Sequence, residues 1–418
     1  MVKKKSEIKL VEEYLSQTYI FRYNEIKCVP EYIDGNRWLA LNDYKLNSLL
    51  REIDSWGVHT TTGTIKSILT SDFVKKINPV KHYFENLKPY TSLEKDYIKQ
   101  LSLTVNTKTN EVWHEYFKRW LVAVVANVFT DNKCCNHTCL VLCGEQGAFK
   151  STWLNNLCPK ELMLYLYIGR IDPDKKDSIS KIADYLFINI DDQLRELNKV
   201  DENKLKSLIT QDDVKFRRAY DKLDSYYPHL ASFMGSVNGI DFLTDSTGSR
   251  RFLPFEIVSI DINAAIKLDM DLVYSQAYYL FKSGYQYWFT QDEIQQLHQH
   301  NENFRVISVE EQLVLDHFLR PANRSEATHF WQIATIEQTL FERSKIKISR
   351  KKLGEALKRN GYERFQKTVD GSVKYVYSLI VRDLSDVIKG GEANRIEAQN
   401  FSSLNIAAED KSYWTGYN

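Results

Sequence analysis

The stretch from His137 to Leu157, H-T-C-L-V-L-C-G-E-Q-G-A-F-K-S-T-W-L-N-N-L, constrains this chain more than any other. Its apolar run Leu140-Val141-Leu142-Cys143 predicts a buried strand. The run breaks at Gly144, and Lys150-Ser151-Thr152 then opens a helix with Leu154 and Leu157 on one face. Strand, glycine loop, Lys-Ser and helix is the order a phosphate-binding loop needs. Backbone N–H groups of Gly144, Glu145, Gln146, Gly147, Ala148 and Phe149, continued at Lys150, Ser151 and Thr152, would point at phosphate oxygens. The Lys150 ammonium would neutralise their outer charge, and the Ser151 hydroxyl would ligate Mg²⁺. One position departs from the pattern G-x-x-x-x-G-K-[ST]: Phe149, not glycine, precedes the lysine. Gly147, two residues earlier, is expected to supply the unusual backbone angles instead. The plain alternative is a strand-turn-helix corner without chemistry, so the downstream context has to decide.

Composition narrows the classes. A chain of 418 residues with 43% apolar content has room for about two to four domains with real cores. The formal net charge is +1, so any nucleic-acid surface must be local. No apolar run approaches the ~18 residues of a membrane span. The N-terminal Met-Val-Lys-Lys-Lys-Ser is not followed by the apolar stretch of a signal peptide. A cytoplasmic protein that engages no membrane is the expectation. The six cysteines include Cys134, Cys135 and Cys139 beside His137, which invites a zinc reading. Yet Cys139 and Cys143 fall in or beside the apolar strand, where a thiol behaves as a small hydrophobe. No second C-x-x-C pair completes a four-ligand site, and no disulfides are expected in a reducing compartment.

Upstream of the loop the pattern is mainly helical and shows no chemistry. A short amphipathic helix at Ile8–Leu15 precedes apolar-polar alternation from Tyr19 to Ile26. Asn42-Asp43 then caps a helix with Leu46, Leu49, Leu50 and Ile53 on its apolar face, ended by Gly57. Another helix runs through Ile65, Ile68, Leu69 and Phe73 toward Asn78-Pro79. Trp113–Val128 is a mostly apolar helix that should pack against the core.

Downstream, four ordered features agree with a nucleotide site. The run from Tyr185 to Asp192 is an apolar strand that delivers two carboxylates at its C-terminal end, the end that lines the crevice of an open α/β sheet. Asp191 could hold the Mg²⁺ shell, and Asp192 could orient or deprotonate the attacking water. Val214–Tyr220 gathers Lys215, Arg217 and Arg218 around Phe216, which suits phosphate contact and base stacking. Equally, one arginine could pair with Asp212, Asp213 or the nucleotide. The apolar strand Leu230–Asn238 ends in Ser236 and Asn238, and the Asn238 amide can hydrogen-bond a γ-phosphate or the water beside it. Arg250 and Arg251 precede the strand Phe252–Ile257, offering cations to developing phosphoryl charge, a role often filled across a subunit boundary. Each feature has a plain counterpart, such as a polar turn or a surface ion pair, but no single one covers all four.

With these residues in order, the chain resembles the virulence-associated E (VapE) family, a phage- and island-borne group related to superfamily 3 helicases. The resemblance runs from roughly Asn78-Pro79 to Phe255. It is carried by G-E-Q-G-A-F-K-S-T-W, I-N-I-D-D, L-K-S-L-I-T, F-R-R-A-Y, A-S-F-M-G-S-V-N and D-S-T-G-S-R-R-F-L-P-F. The earlier segments R-Y-N-E-I and L-N-D-Y-K-L-N-S-L are similar too. The resemblance implies an α/β P-loop NTPase core of the AAA+/superfamily 3 helicase kind, using ATP and Mg²⁺ and assembling as a ring homo-oligomer, expected to be a hexamer. By the same matching, Lys150 and Ser151 are the phosphate and Mg²⁺ residues and Asp191 and Asp192 the acidic pair. Asn238 is the polar sensor, and Arg250 or Arg251 the arginine finger. Two positions depart from the family. Phe149 replaces the glycine many members have, and Asp192 stands where glutamate is more usual, one methylene shorter toward water.

The C-terminal third changes texture. Residues 286–330 read as polar and helical. A helix at Ile336–Glu342 is followed by Ser349 capping Arg350–Asn360, stopped by Gly361, with Leu353, Ala356 and Leu357 on the buried face. Phe365–Ile380 reads as two strands around Asp370-Gly371. Helix, helix, hairpin predicts a small winged-helix module. Between Ile336 and Ile380 there are 11 Lys/Arg against 5 Asp/Glu, a local excess of +6 in a nearly neutral chain. Arg350, Lys351, Lys352, Lys358 and Arg359 would decorate the exposed helix face, as a recognition helix does toward DNA phosphates. A protein-docking module is the alternative.

Four regions are therefore expected: a mainly helical 1–130, an ATPase core at 131–285, a linker and winged helix at 286–385, and a disordered polar tail at 386–418. The leading functional reading is an ATP-dependent motor of a mobile element that acts on single-stranded or forked DNA in replication. Its rival is an ATP-binding tether or regulator with weak or no turnover, to which Phe149 and Asp192 would point. A small-molecule kinase using the same loop is a third class, less suited by the Asn238 strand end and the paired arginines.

Overall fold

A computed structural model of the chain describes residues 6–91, 93–191, 193–218, 224–244, 249–369 and 371–382. It divides into two compact units, Met1–Arg305 and Val306–Asn418. The first begins with helix α1 (Glu7–Thr18), where the Ser6 hydroxyl accepts from the Lys9 N–H. A four-stranded sheet in the order β3-β2-β1-β4 comes from β1 (Phe21–Asn24), β2 (Val29–Asp34), β3 (Arg37–Ala40) and β4 (Lys76–Ile77). The alternation at Tyr19–Ile26 announces only β1. The two-residue turn Gly35-Asn36, with Gly35 at φ 58°, is the signal for the rest, because it closes Asp34 onto Arg37. Helix α2 (Asp43–Ser55) starts at the expected cap, Asn42 accepting from the Lys45 N–H. Leu46, Leu49 and Ile53 are buried with residues of α3 (Thr62–Leu69).

Helices α4 (Pro79–Glu85) and α5 (Tyr97–Ser102) lead through strand β5 (Val105–Thr107) to α6 (Asn110–Phe129), the long apolar helix anticipated at Trp113–Val128. It packs on the central sheet as expected. Trp113 lies 5.0 Å from Phe255 and 5.7 Å from Trp153, centroid to centroid, and all three are buried. Burial of each such side chain contributes roughly 1.5–3 kcal/mol.

That sheet is built from β6 (Cys139–Gly144), β7 (Leu166–Ile168), β8 (Phe187–Asn189), β11 (Ser232–Asn238) and β12 (Phe252–Ile260). Its order is β5-β12-β6-β11-β8-β7, parallel throughout except for β5 at the edge. The next strand in the chain after β6 lies at the far edge, and later strands fill both sides of β6. That reversal makes a switch point, where open α/β sheets bind ligands beyond the C-terminal strand ends. Helix α7 (Lys150–Asn155) follows β6 directly; α8 (Lys176–Asp184), α9 (Gln193–Glu196) and α10 (Lys199–Ile209) flank β8. Between α10 and β11 the basic-aromatic cluster forms a hairpin, β9 (Asp213–Phe216) with β10 (Ser225–Pro228). Helices α11 (Ile262–Lys267), α12 (Met270–Lys282) and α13 (Gln291–Asn301) complete the unit. The stretch from 286 to 305, read above with the C-terminal module, therefore packs within the first unit, Leu297 joining the same core as Trp113.

The second unit holds α14 (Val309–His317), β13 (Phe318–Leu319), β14 (His329–Trp331), α15 (Ile333–Ser344), α16 (Arg350–Arg359), β15 (Arg364–Val369) and β16 (Ser372–Val381). Leu353, Ala356 and Leu357 are buried as the helical spacing requires. The hairpin forms with Val369 opposite Ser372, and Gly371 takes φ 73° in its turn; Asp370 lies outside the described residues. The expectation of helix through residue 330 is corrected here. Phe318 and Leu319 leave the helix to pair with Val381 and Ile380, which buries Phe318, and Pro321 bars any resumption of the helix just beyond. The polar tail expected at 386–418 lies outside the described residues.

Candidate nucleotide site

Gly144 ends β6 with φ 151° and exchanges two hydrogen bonds with Gly239, N–H to O at 3.1 Å and 3.0 Å. The loop therefore starts pinned to the end of β11, next to Asn238. A Cβ at Gly144 would meet the Ile257 carbonyl at 3.3 Å, so the position needs glycine for space as well as angle. Gly147 takes φ 84° in open surroundings, as expected of it. It does not, however, stand in for the missing glycine. Phe149 itself adopts the left-handed conformation, φ 58° and ψ 18°, with its ring 54% exposed. A bulky residue there costs roughly 1–2 kcal/mol relative to an ordinary helical angle.

From this loop Lys150 turns inward and is buried. Its ammonium donates to the Gly144 carbonyl at 3.1 Å, the Glu145 carbonyl at 2.5 Å and the Asn238 Oδ1 at 3.2 Å. The Ser151 and Ser236 hydroxyls lie 3.2 Å apart, and the Ser236 hydroxyl donates to the Asp191 carboxylate. Because a hydroxyl carries a single proton, Ser151 must then be the donor to Ser236. The register explains the convergence. Asn189 of β8 stands opposite Met234 of β11, so Asp191 falls beside Ser236, two residues further on each strand. Ser236 and Asn238 share a strand face by the period of two. Lys150, Ser151, Asp191 and Asn238, predicted from separate segments, thus meet at one strand edge. Asp192 lies outside the described residues.

Two members of the site were missed as site residues. Ser236 was read only as part of a polar strand end, and its bridging position depends on long-range register. Arg195, on α9, donates through Nη1 to the Asn238 carbonyl at 3.0 Å and is exposed. Its signal in the sequence is a cation four residues after Asp191. The oxygen donors Ser151, Ser236 and Asp191 are the hard ligands that Mg²⁺ takes, usually with few protein carboxylates. Burial pushes the Cys134 thiol up to about 12 and raises Cys139 and Cys143 as well, so all three remain neutral thiols in the packed interior.

Arg250 and Arg251 do not join this site in their own chain. Phe252 pairs with Cys139, the first residue of β6, whereas the loop leaves from Gly144, its last. The arginines therefore sit at the opposite end of the strand, about 17 Å of extended chain away. Among the described residues neither has an acidic partner within ion-pair distance, and the buried Arg251 Nε has no hydrogen-bond partner. Burial and the neighbouring Arg250 both depress the Arg251 pKa. Ser249 anchors the pair, its carbonyl accepting from Asn301 Nδ2 at 2.8 Å and its hydroxyl lying 2.9 Å from His298 Nδ1. Beside them opens a cavity of 220 Å³.

The basic residues read as DNA contacts divide. Lys215 and Arg217 are exposed on the β9–β10 hairpin, and Lys215 stands opposite the exposed Tyr226, its ammonium 5.4 Å from the ring centre. Arg218 is committed inside the chain. It donates to Asp184 Oδ1 at 2.6 Å and to the Ile26 carbonyl at 2.8 Å, and lies 4.6 Å from the Tyr227 ring centre. In the second unit Lys351 and Lys352 are exposed, while Arg350 pairs with Glu337 at 2.6 Å on the surface.

A central parallel sheet, with a glycine loop at its switch point beside a carboxylate and an amide from neighbouring strands, defines an α/β protein. Residues 85–306, more than half of the chain, match the virulence-associated protein E-like domain, and the chain belongs to that family. No curated protein sequence matches it. Among solved structures it is similar to the apo structure of the NrS-1 C-terminal region (305–718), with TM-score 0.51 and 12% identity over 91% of this chain and 100% of that one. An A-form apo structure of the NrS-1 C-terminal region aligns with TM-score 0.48 and 13% identity, over 90% of this chain and 100% of that one. The first likeness is one of fold. Among the described residues no helix is long and apolar enough to cross a membrane.

Proposed function

We propose that the chain is an ATP-dependent DNA motor of a phage or mobile element, a P-loop NTPase of the AAA+/superfamily 3 helicase kind that acts in replication as a cytoplasmic ring. The observation that carries the reading is the meeting of Lys150 and Ser151 with Ser236, Asp191 and Asn238 at one strand edge. Backbone N–H groups from Gly144 to Thr152 would hold the phosphates of ATP. Lys150, which now caps loop carbonyls, would exchange them for β- and γ-phosphate oxygens. Ser151 and Asp191 would hold Mg²⁺, which when bound neutralises charge on those oxygens. Asp192, next in the chain, would orient the attacking water. Asn238, hydrogen-bonded to Lys150, would report on the γ-phosphate.

The arginines make the ring part of the chemistry. With Arg250 and Arg251 at the far end of the sheet, a finger for this site has to come from a second copy, and the expected six-membered ring provides one at every boundary. DNA would be met by Lys215 and Arg217 on the hairpin and by Arg350, Lys351 and Lys352 on α16, read as the recognition helix of a winged-helix module. The tether-or-regulator reading draws on the same separation, because a chain that does not assemble would bind ATP without a finger and turn it over slowly. ATP hydrolysis by the purified protein, with and without single-stranded DNA and across protein concentrations, tests the choice. Turnover that rises with both supports the motor; nucleotide binding with flat, negligible turnover supports the tether.

A further inference from the structure

Phe149 is the residue in the loop that neither the fold nor the nucleotide reading requires. It occupies a left-handed backbone position that glycine would take without strain, and it turns a large ring to solvent. Such an outlier persists where something else uses it. A second exposed aromatic, Trp288, is 55% accessible at the other end of the sheet. It borders the cavity beside Arg250 and Arg251, whose lining is apolar at Tyr287, Phe289 and Leu297 and polar at Asn136, His137 and Thr210. A cavity of about 150 Å³ with apolar walls already accepts benzene, so 220 Å³ has room for a phenyl ring among these side chains. Within one chain the two cannot meet. Phe149 leaves the C-terminal end of β6, while the cavity is walled by residues that precede β6 and β12.

We propose that Phe149 of one subunit inserts into the cavity beside Arg250 and Arg251 of the next copy, so that the ring boundary is an aromatic knob in a pocket alongside the arginines. This rests on the ring reading above and deepens it. If the arginines of one copy reach phosphates held at Lys150 of another, the residue adjoining Lys150 must lie against the surface adjoining those arginines. That residue is Phe149, and that surface holds the cavity. The ring then gains edge-to-face contacts with Trp288 and Tyr287, and burying it in assembly offsets the strain it carries in the free chain. The guanidinium groups beside it are brought to a fixed depth, so the same contact that joins the subunits sets the reach of the finger.

The test uses the full chain carrying Phe149→Cys and Trp288→Cys together, oxidised mildly with a non-hydrolysable ATP analogue and single-stranded DNA. Expected is a ladder of linked chains on a non-reducing gel, absent from either single variant, since a disulfide requires Cα atoms within about 7 Å. Trp288→Ala, at an exposed position, should weaken self-association about tenfold or more, as loss of an aromatic anchor does, with the nucleotide affinity of the unassembled chain unchanged. Phe149→Gly should weaken association likewise while raising the melting temperature of the unassembled chain, because it relieves the strained angle. Assembly confirmed by light scattering with no ladder, and Trp288→Ala assembling like the parent, would overturn the knob and leave the trans arginines standing. A monomer under every ligand condition would remove both.

Discussion

The two ends of the central sheet are opposites. At the C-terminal edge, Ser151, Ser236 and Asp191 form one hydrogen-bonded chain, and beside it the buried Lys150 is held by two loop carbonyls and the Asn238 amide. At the N-terminal edge, two adjacent arginines lack any acidic partner among the described residues, and one has a buried nitrogen with no hydrogen bond. Both edges hold cations, yet among the described residues only those of the first edge are held by hydrogen bonds to their surroundings. A partly buried guanidinium next to a like charge is an unfavourable arrangement that an incoming anion would relieve. On the proposed reading the first edge is a site and the second is half of one, and the missing half is what the first edge would carry once ATP is bound.

The sharpest way to break the comparison is to remove the cation from each edge in turn. Lys150→Ala should bring ATP turnover below detection and weaken nucleotide binding with it, since this edge would lose the group proposed to face the phosphates. Equal turnover in the variant would end the phosphate-loop assignment. Arg250→Ala/Arg251→Ala should lower kcat by about 10³, the scale of an arginine finger, while ATP affinity stays at the parental value. A matching loss of affinity would place the arginines in their own chain's site after all, against the register of β12 on β6.

Smaller effects sharpen the picture of each edge. Ser236→Ala removes the link between Ser151 and Asp191 and should raise the Mg²⁺ concentration for half-maximal hydrolysis about tenfold, as loss of a residue that orients metal ligands does. An unchanged Mg²⁺ titration would make Ser236 a packing residue. Smallest is the effect of replacing Arg350, Lys351 and Lys352 together with alanine. The slope of log affinity for single-stranded DNA against log salt should fall by about 2, since roughly 0.7 counterion is released per contacted phosphate, and DNA-free turnover should not change. An unaltered slope would make α16 a protein-docking face.

Much of this was legible in the chain because it is local. The apolar runs that become β6, β8, β11 and β12 announce themselves, as do the Asn42 cap and the buried face of α16 at Leu353, Ala356 and Leu357. The small N-terminal sheet was legible only in part, its turn at Gly35-Asn36 being a short signal between helical stretches. What was not legible is long-range. Asp184 claims Arg218 from 34 residues away, and Asp191 reaches Ser236 across 45, through a strand register that no local pattern encodes. The left-handed Phe149 could not be read either, because the rule that glycine belongs there says nothing about how a phenylalanine copes.

The central claim is that the arginines of one chain complete the site of another, and mixing two inactive variants tests it most directly. An Arg250→Ala/Arg251→Ala subunit keeps an intact loop, and a Lys150→Ala subunit keeps intact arginines. Combined in the presence of ATP and single-stranded DNA, they can form a complete site at their shared boundary. Turnover in the mixture well above the sum of the two variants alone is the predicted result. Turnover equal to that sum at every mixing ratio, with mixed assemblies shown to form, would contradict it.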